Sequence, residues 1–422
     1  MRSLVRGGVV AILAAAAVLV AAAPAHAAVG GTVNVGIDGN LLFNGLDGFA
    51  NTLVVTKTGT TVELDDVHTI TPNGACEHPD PEDDTYVSCT VSISPDMRIE
   101  PDDFNDHVTI SGTGGKWLVN LEDGNDTADM TDAGGTGNVV VGGNGNDLFI
   151  SGTAHEFYRG LAGTDTVSYA PRGAGSPVTV DLDAEAGGDG GDEDTYDEVD
   201  NVIGTAGDDD LTGGDGNNKL EGRDGDDELH GGSGDDTLIG GTGDDVVDGD
   251  GGTDTASYLG HPSAVTADLD GVQDDGAAGE DDWIQSTVEN LAGSSHGDTL
   301  TGNANPNTIH GDACSLICDG FSGGDDSILG GSGNDYLYGW GGDDYVHGQG
   351  GADVISGSNG EDDLNGGSGG DTISGGNNDD SLDGSSGFDA LDGGSGVADW
   401  CDTGDNGGTK TGCELPLGWT WS

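Results

Sequence analysis

An acidic residue recurs every nine residues through much of this chain. Six nonapeptides follow one another without a gap between Gly204 and Ser257, and a second unbroken run begins at Gly330. Each has glycine mainly at places one, two and four, an acid usually at place six, and an apolar residue at place eight. Carboxylates at identical loop positions would form columns that repel themselves unless cations lie between their members. Carboxylate and carbonyl oxygens suit calcium better than zinc or copper.

The candidate metal ligands are therefore the place-six aspartates of the recognisable nonapeptides. They are Asp147, Asp165, Asp209, Asp227, Asp236, Asp245, Asp254, Asp298, Asp326, Asp335, Asp344, Asp353, Asp362, Asp371, Asp380 and Asp389.

The nonapeptide also predicts its own local structure. Glycine at places one, two and four permits positive φ and lets two loops approach closely. Asn or Asp at place five tolerates the left-handed region better than other side chains. The last three residues of each nine form a short strand whose middle residue points inward. In the second run these inward residues are Leu337, Val346, Ile355, Leu364, Ile373, Leu382 and Leu391.

Composition narrows the class of protein. The 422 residues include 79 acids and 10 Lys plus Arg, which gives a net charge of −69. Nucleic acid is therefore not an expected partner, because its phosphates need a basic surface. Glycine accounts for 83 residues and aromatics for 5%. Such a composition normally favours disorder, but the strict period favours a solenoid.

The N-terminus predicts export. Residues 1–27 combine Arg2 and Arg6, an apolar stretch and the cleavage pattern Ala25-His26-Ala27, which is typical of a secretory signal peptide. No later apolar stretch is long enough for a membrane span.

The six cysteines occur in three close couples: Cys76 with Cys89, Cys314 with Cys318, and Cys401 with Cys413. In an exported chain we interpret these couples as three local disulfides, although six cysteines formally allow 15 pairings. Thiolate metal sites are the alternative, but the chain has no C-x-x-C couple.

The period divides the chain into further segments. We predict an N-terminal β region at 28–135, a first repeat block at 136–257, a strand pair with an acidic loop at 258–292, a second block at 293–399 and a disulfide-closed cap at 400–422. A longer duplication, offset by 89 residues, relates Asp165–Tyr169 to Asp254–Tyr258. The acidic segments 183–197 and 270–282 have no apolar period, and we expect them to be mobile loops.

The repeats resemble the hemolysin-type (RTX) calcium-binding nonapeptide family over residues 142–399. The resemblance implies an all-β fold, a right-handed parallel β-roll or β-helix solenoid in which two nonapeptides make one 18-residue turn. It also implies that calcium binds between stacked loops n and n+2. The implied pairs are Asp227 with Asp245, Asp236 with Asp254, Asp335 with Asp353, Asp344 with Asp362, and Asp353 with Asp371. Asn218 and Asn307 replace the acid, and Asn378 replaces the place-four glycine of its repeat.

The sequence is compatible with two predicted functions, a binding module and an enzyme. The first is extracellular binding of several calcium ions by a non-enzymatic structural or adhesive surface module. The alternative is an exported hydrolase whose catalytic part lies in residues 28–135. Gly366–Gly370 matches G-x-S-x-G, but it lies inside a nonapeptide and not between a long strand and a helix. Tyr336, Tyr338, Trp340 and Tyr345 suggest a glycan-binding face, although alternation of repeats between sheets would divide this group.

Overall fold

The computed structural model describes residues 29–36, 38–45, 50–91, 96–189, 193–313, 323–404 and 406–414. Within these ranges every helix or strand element is a β-strand. The predicted signal peptide, the Cys314–Cys318 couple and the final tryptophans lie outside the described residues. Among the described residues, no helix is long and apolar enough to cross a membrane.

The strands form one long sheet, two sheets that lie opposite it and one small pair. The long sheet contains Thr52–Thr58, Thr61–Asp65, Cys76–Glu77, Tyr86–Thr90, His107–Gly112, Thr127–Ala133, Leu148–Ile150, Thr166–Ser168, Asn201–Ile203, Lys219–Asp224, Thr237–Thr242, Thr255–Ser257, Asn290–Ala292, Thr308–His310, Tyr336–Gly341, Val354–Asn359, Thr372–Asn377, Asp389–Ser395 and Gly408–Thr411.

The first facing sheet contains Val29–Val35, Leu41–Gly45, Thr69–Asn73, Asp96–Glu100, Lys116–Asp123, Thr136–Asn144, His155–Ala162, Thr179–Asp181, Ala186–Gly188, Asp194–Asp197, Asp210–Thr212, Glu228–His230, Val246–Asp248 and Trp283–Ile284. The second facing sheet contains Val265–Asp268, Gly276–Ala277, Thr299–Thr301, Ser327–Gly331, Tyr345–Gln349, Asp363–Asn365, Ser381–Asp383 and Trp400–Asp402. The small pair is Ser368–Gly369 with Ser386–Gly387.

The register confirms the predicted coil. In the long sheet Leu337 is paired in parallel with Ile355, and Ile355 with Ile373, so neighbouring strands are 18 residues apart. The intervening nonapeptides contribute Val346 and Leu364 to the second facing sheet. Successive nonapeptides therefore alternate between the two sides, and two of them make one coil of an all-β, parallel β-roll solenoid.

The core of the roll is the space between the sheets. The place-eight side chains of the second run are at most 2% exposed and belong to one buried apolar cluster. This confirms the prediction that the middle residue of each strand points inward. Each nonapeptide contributes one such side chain, so the apolar core is thin.

The N-terminal region is less regular. Antiparallel pairs join Thr52–Thr58 to Thr61–Asp65 and Thr61–Asp65 to Tyr86–Thr90. A disulfide links Cys76 to Cys89, as predicted. Parallel stacking has begun by Asp96–Glu100, which pairs with Lys116–Asp123. Large side chains fill this end of the roll, and Phe43, Met97 and Trp117 are fully buried.

The expectation that both acidic segments are loops is wrong, because the described parts of both contain paired strands. The first contains Ala186–Gly188 and Asp194–Asp197, which are hydrogen-bonded into the first facing sheet. The second contains Gly276–Ala277, which pairs with Val265–Asp268. Acids in both segments are buried because tyrosines of the 89-residue duplication bind them. Tyr169 Oη donates to Asp194 Oδ2 at 2.9 Å, and Tyr258 Oη donates to Asp282 Oδ2 at 3.0 Å.

The C-terminal end covers the last coil. Gly408–Thr411 adds a parallel strand beside Asp389–Ser395. The predicted disulfide between Cys401 and Cys413 closes this segment.

Candidate metal centre

The predicted ligands lie in two columns, each on one edge of the roll. The first column precedes strands of the long sheet and contains Asp147, Asp165, Asp236, Asp254, Asp335, Asp353, Asp371 and Asp389. The second column precedes strands of the facing sheets and contains Asp209, Asp227, Asp245, Asp298, Asp326, Asp344, Asp362 and Asp380. None of these aspartates is more than 3% exposed.

Hydrogen bonds connect each column from coil to coil. Asp335 N donates to Asp353 Oδ1, and Asp353 N donates to Asp371 Oδ1, both at 2.9 Å. In the second column Asp344 N donates to Asp362 Oδ1 at 3.0 Å. The structure thus brings together the pairs that the resemblance implied: Asp227–Asp245, Asp236–Asp254, Asp335–Asp353, Asp344–Asp362 and Asp353–Asp371.

The second oxygen of these carboxylates has no hydrogen-bond donor. Oδ2 is buried and without a hydrogen-bond partner in every predicted ligand except Asp209 and Asp298. In those two, Oδ2 accepts from Thr205 N at 2.5 Å and from Ser294 N at 2.6 Å. A buried oxygen without a donor is costly, and an ionised one more so. A cation beside Oδ2 would remove that cost.

Glycine at place one leaves room beside Oδ2. A Cβ on Gly348 would lie 2.2 Å from Asp353 Oδ2 and 2.7 Å from the Gly366 carbonyl oxygen. A Cβ on Gly330 would lie 2.7 Å from Asp335 Oδ2 and 2.9 Å from the Gly348 carbonyl oxygen. A carboxylate oxygen and a carbonyl oxygen of the next coil therefore converge on the same glycine. These hard oxygens fit calcium.

The backbone corrects one expectation about the loops. Positive φ occurs at places two and four, for example 69° at Gln349 and 144° at Gly351, and at no place-five residue of the described nonapeptides. Asn378, which replaces a place-four glycine, keeps the left-handed conformation with a φ of 78°. Asn and Asp instead suit place five because their side-chain oxygens accept hydrogen bonds from backbone N–H groups of the next coil. Asp343 N donates to Asp325 Oδ1 at 2.9 Å, and Glu361 N donates to Asp343 Oδ1 at 2.8 Å.

The two asparagines at place six satisfy themselves without a cation. Asn218 Oδ1 accepts from Gly214 N at 2.8 Å, and its Nδ2 donates to the Asp200 carbonyl at 2.5 Å. Asn307 Oδ1 accepts from Asn303 N at 2.8 Å, and its Nδ2 donates to the Glu289 carbonyl at 2.6 Å. Both polar atoms of each asparagine side chain therefore have hydrogen-bond partners. The neutral amide also carries no charge that a metal ion would have to balance.

Burial makes the aspartates poor acids when no cation is bound. Burial is the main reason that the pKa of Asp227 is raised to about 7; the carboxylate of Asp209 adds to the rise, and the hydrogen bond from the Asp209 backbone N–H opposes it. Burial raises the pKa of Asp245 to about 8 and that of Asp344 to about 8. In the first column it raises the pKa of Asp371 to about 6. A proton and a metal ion thus compete for the same oxygens near neutral pH.

Comparison with known families agrees with this geometry. The sequence model described as RTX calcium-binding nonapeptide repeat (4 copies) matches residues 132–167, 194–229, 221–256, 293–315, 322–355, 342–373, 356–391 and 374–397. The chain carries RTX calcium-binding nonapeptide repeats. The buried Oδ2 atoms are where the fold offers oxygen ligands for such an ion. No curated protein matches the chain.

Several column members lie outside the clean RTX repeats, and the sequence-based selection missed them. Asp106 N donates to Asp126 Oδ1 at 2.6 Å, which extends the first column into the N-terminal region. Asp200 and Glu289 accept from Asp165 N and Asp254 N. Asp282, Asp399 and Glu414 occupy equivalent places in the second column. The sequence contained a signal for Asp200 and Glu289, because they directly precede Asn201–Ile203 and Asn290–Ala292, which the same 89-residue offset relates.

The aromatic cluster is divided between two faces. Tyr338 and Trp340 lie on the long sheet, where both stack on His310 at centroid distances of 4.9 and 5.9 Å. Tyr345 lies on the second facing sheet. The four predicted aromatics therefore do not form one glycan-binding platform.

Proposed function

We propose that the RTX roll is an extracellular, non-enzymatic structural or adhesive module that holds several calcium ions in each of its two columns. The observation that carries this proposal is the row of buried Oδ2 atoms without donors. Beside several of them, as at Asp335 and Asp353, lies a carbonyl oxygen of the next coil. The place-six aspartates and the place-one glycine carbonyls would hold the ions. Bound calcium would supply the positive charge that the columns lack.

A structural role for calcium follows from the thin core. Each nonapeptide orders nine backbones and buries only one main apolar side chain, so apolar burial alone stabilises the coil weakly. Each calcium that binds only the folded roll would add about 2.7 kcal/mol at 100 times its dissociation constant. The ions are therefore part of what stabilises the fold.

The assignment as a non-enzyme is supported by the surroundings of the G-x-S-x-G match. Ser368 lies in the short strand Ser368–Gly369, and its Oγ donates to the Gln349 carbonyl at 3.3 Å. This hydroxyl is thus bound to backbone in a repeat loop, whereas a nucleophile needs a base beside it. A hydrolase screen of the full chain tests this part of the proposal, and turnover that is lost on substitutions within residues 28–135 would contradict it.

An extracellular location is supported by the disulfides Cys76–Cys89 and Cys401–Cys413, which indicate an oxidising compartment. Millimolar calcium outside cells matches the range of about 10⁻⁴–10⁻³ M typical of extracellular calcium modules.

Asp353→Asn is the test of the ligand assignment. The new amide keeps the acceptor for Asp335 N, and Asn218 shows that an asparagine at place six is compatible with the fold. We expect a smaller number of bound calcium ions by isothermal titration calorimetry, and a higher calcium midpoint of folding by circular dichroism.

The matched control is Asp363→Asn, which removes the same charge from an exposed place-seven residue of the same array. It should leave the calcium count unchanged. Equal losses from the two variants would show that the aspartates act only through net charge.

A further inference from the structure

A cluster of one histidine and two aspartates, separate from the carboxylate columns, lies on the outer surface of the first facing sheet. His230 and Asp248 are cross-strand neighbours on Glu228–His230 and Val246–Asp248, and Asp250 follows directly in the chain. His230 Nδ1 lies 3.8 Å from Asp248 Oδ2 and 3.7 Å from Asp250 Oδ2. The side chains are 28%, 16% and 50% exposed, in the order His230, Asp248 and Asp250, so water reaches the group.

The hydrogen bond on the other side of the imidazole fixes its orientation. His230 Nε2 lies 3.2 Å from Glu228 Oε1, and this carboxylate is a hydrogen-bond acceptor only. In the neutral ring Nε2 therefore carries the proton, and Nδ1 presents a lone pair to two carboxylate oxygens. The separations of 3.7 and 3.8 Å are too long for hydrogen bonds. A lone pair facing two anions is unfavourable unless a cation lies between them.

Asp248 is also held in place. Its other oxygen, Oδ1, accepts from Thr287 Oγ1 at 2.7 Å and from Asp250 N at 3.1 Å. Thr287 Oγ1 in turn accepts from Gly249 N at 3.1 Å. Oδ2 is thereby turned toward the imidazole. A carboxylate behind the histidine and hydrogen bonds behind the ligating carboxylate are the outer-shell partners found at metal sites.

We propose that His230, Asp248 and Asp250 form a zinc site that is separate from the calcium columns. One imidazole nitrogen and two carboxylate oxygens suit zinc, whereas calcium takes oxygen ligands. Two ligands at about 2.0–2.2 Å from one zinc ion lie up to about 4.2 Å apart, so the two measured separations are compatible with a shared ion. The three donor atoms all lie within 4.8 Å of one another, and a small movement of the half-exposed Asp250 would complete the set. Water would take the open positions.

The test is a zinc titration of the full chain in saturating calcium, so that the columns are already filled. Calorimetry of the wild type should show one tight zinc equivalent above the weak binding of the acidic surface. His230→Gln should weaken that equivalent by at least about tenfold. Cobalt offers a second readout, because a visible absorption band of tetrahedral type should be present in the wild type and lost in the variant.

The matched control is His347→Gln. His347 also stands at place nine of its nonapeptide, on the second facing sheet, where its strand neighbours are Leu329 and Asn365. This variant should keep the tight equivalent. Equal zinc binding by the wild type and His230→Gln, or equal losses in both variants, would overturn the proposal. Unchanged circular dichroism in calcium verifies that each variant is folded.

A protonated imidazole is the competing occupant of the same space. If the wild type shows no tight zinc equivalent, the cluster is an ion pair only and the zinc proposal is wrong.

Discussion

The two ends of the roll are stabilised in different ways. The N-terminal region buries large side chains such as Phe43, Met97 and Trp117, and the Cys76–Cys89 disulfide links its strands. The second run of nonapeptides, from Gly330 onward, is called the second array here, and it buries one Leu, Ile or Val in each repeat. The same nine residues also carry a buried carboxylate whose Oδ2 has no hydrogen-bond donor.

Among the described N-terminal residues, the buried carboxylates without a donor on Oδ2 are Asp66, Asp106 and Asp126, whereas the second array has one in every nonapeptide. The roll thus rests more on apolar burial at the N-terminal end and depends more on counter-charge in the second array. Calcium dependence should therefore vary along the chain.

The strongest test of this comparison is hydrogen exchange with and without calcium. In chelator, peptides from Tyr336–Gly341 to Asp389–Ser395 should exchange as an unfolded chain, because their carboxylate columns are uncompensated. Peptides that cover Lys116–Asp123 should stay protected. Calcium should restore protection of the array cooperatively. Uniform loss of protection in both regions would show that the N-terminal core does not fold independently of the ions.

Acid should partly replace calcium, and the sign follows from the raised pKa values. The folded pKa is about 8 for Asp245 and about 8 for Asp344, above the unfolded value of about 3.9. Between these values the folded state binds more protons than the unfolded state. The free energy of unfolding of the calcium-free roll therefore falls as pH rises from about 4 to about 8, by up to about 1.4 kcal/mol per pH unit for each such carboxyl.

Circular dichroism of calcium-depleted protein should accordingly show more β-structure at pH 5 than at pH 8. With saturating calcium this gain on acidification should disappear, because protons then displace bound ions. A calcium-free roll that is equally folded at both pH values would contradict the raised pKa values.

A single methyl group provides the smallest and most local test. Gly348→Ala would place a Cβ 2.2 Å from Asp353 Oδ2. We expect a loss of about 3 kcal/mol or more from overpacking and a lost calcium site. Gly350→Ala is the control in the same loop, because its nearest neighbour is Ser368 Oγ at 3.3 Å. The control should change the free energy of unfolding by less than about 1 kcal/mol. Thermal melts in calcium measure both, and equal shifts would exclude the space beside Asp353 as a metal site.

The period of nine was enough to predict which residue of each repeat points inward and which acids stand at equivalent places. The resemblance to the RTX family added the alternation between sheets, and with it the 18-residue register in which these acids stack. Asp335, Asp353 and Asp371 could be placed in one column for this reason. Residues that reach the same columns from irregular segments, such as Asp282 and Glu414, could not be placed, because their position depends on how an insertion folds back.

The acidic insertions were misjudged for a related reason. Their acids suggest a solvated loop when only composition is considered. Asp194 and Asp282 are buried because Tyr169 and Tyr258, distant in sequence, donate to them. A local pattern cannot show a partner 24 or 25 residues away. The role of place five was misassigned because its effect is a hydrogen bond between coils and not a backbone preference.

The coil-to-coil hydrogen bonds of the columns all run one way, from a backbone N–H to a carboxylate that comes later in the chain. Asp362 N donates to Asp380, Asp380 N to Asp399, and Asp399 N to Glu414. The donor therefore precedes its acceptor by one turn of the chain, so each turn is completed only by the turn that follows it. Glu414 is the last member of the series among the described residues, and its own N–H donates to the Asp399 carbonyl at 2.8 Å. A chain cut short before this residue would leave its final turn permanently open.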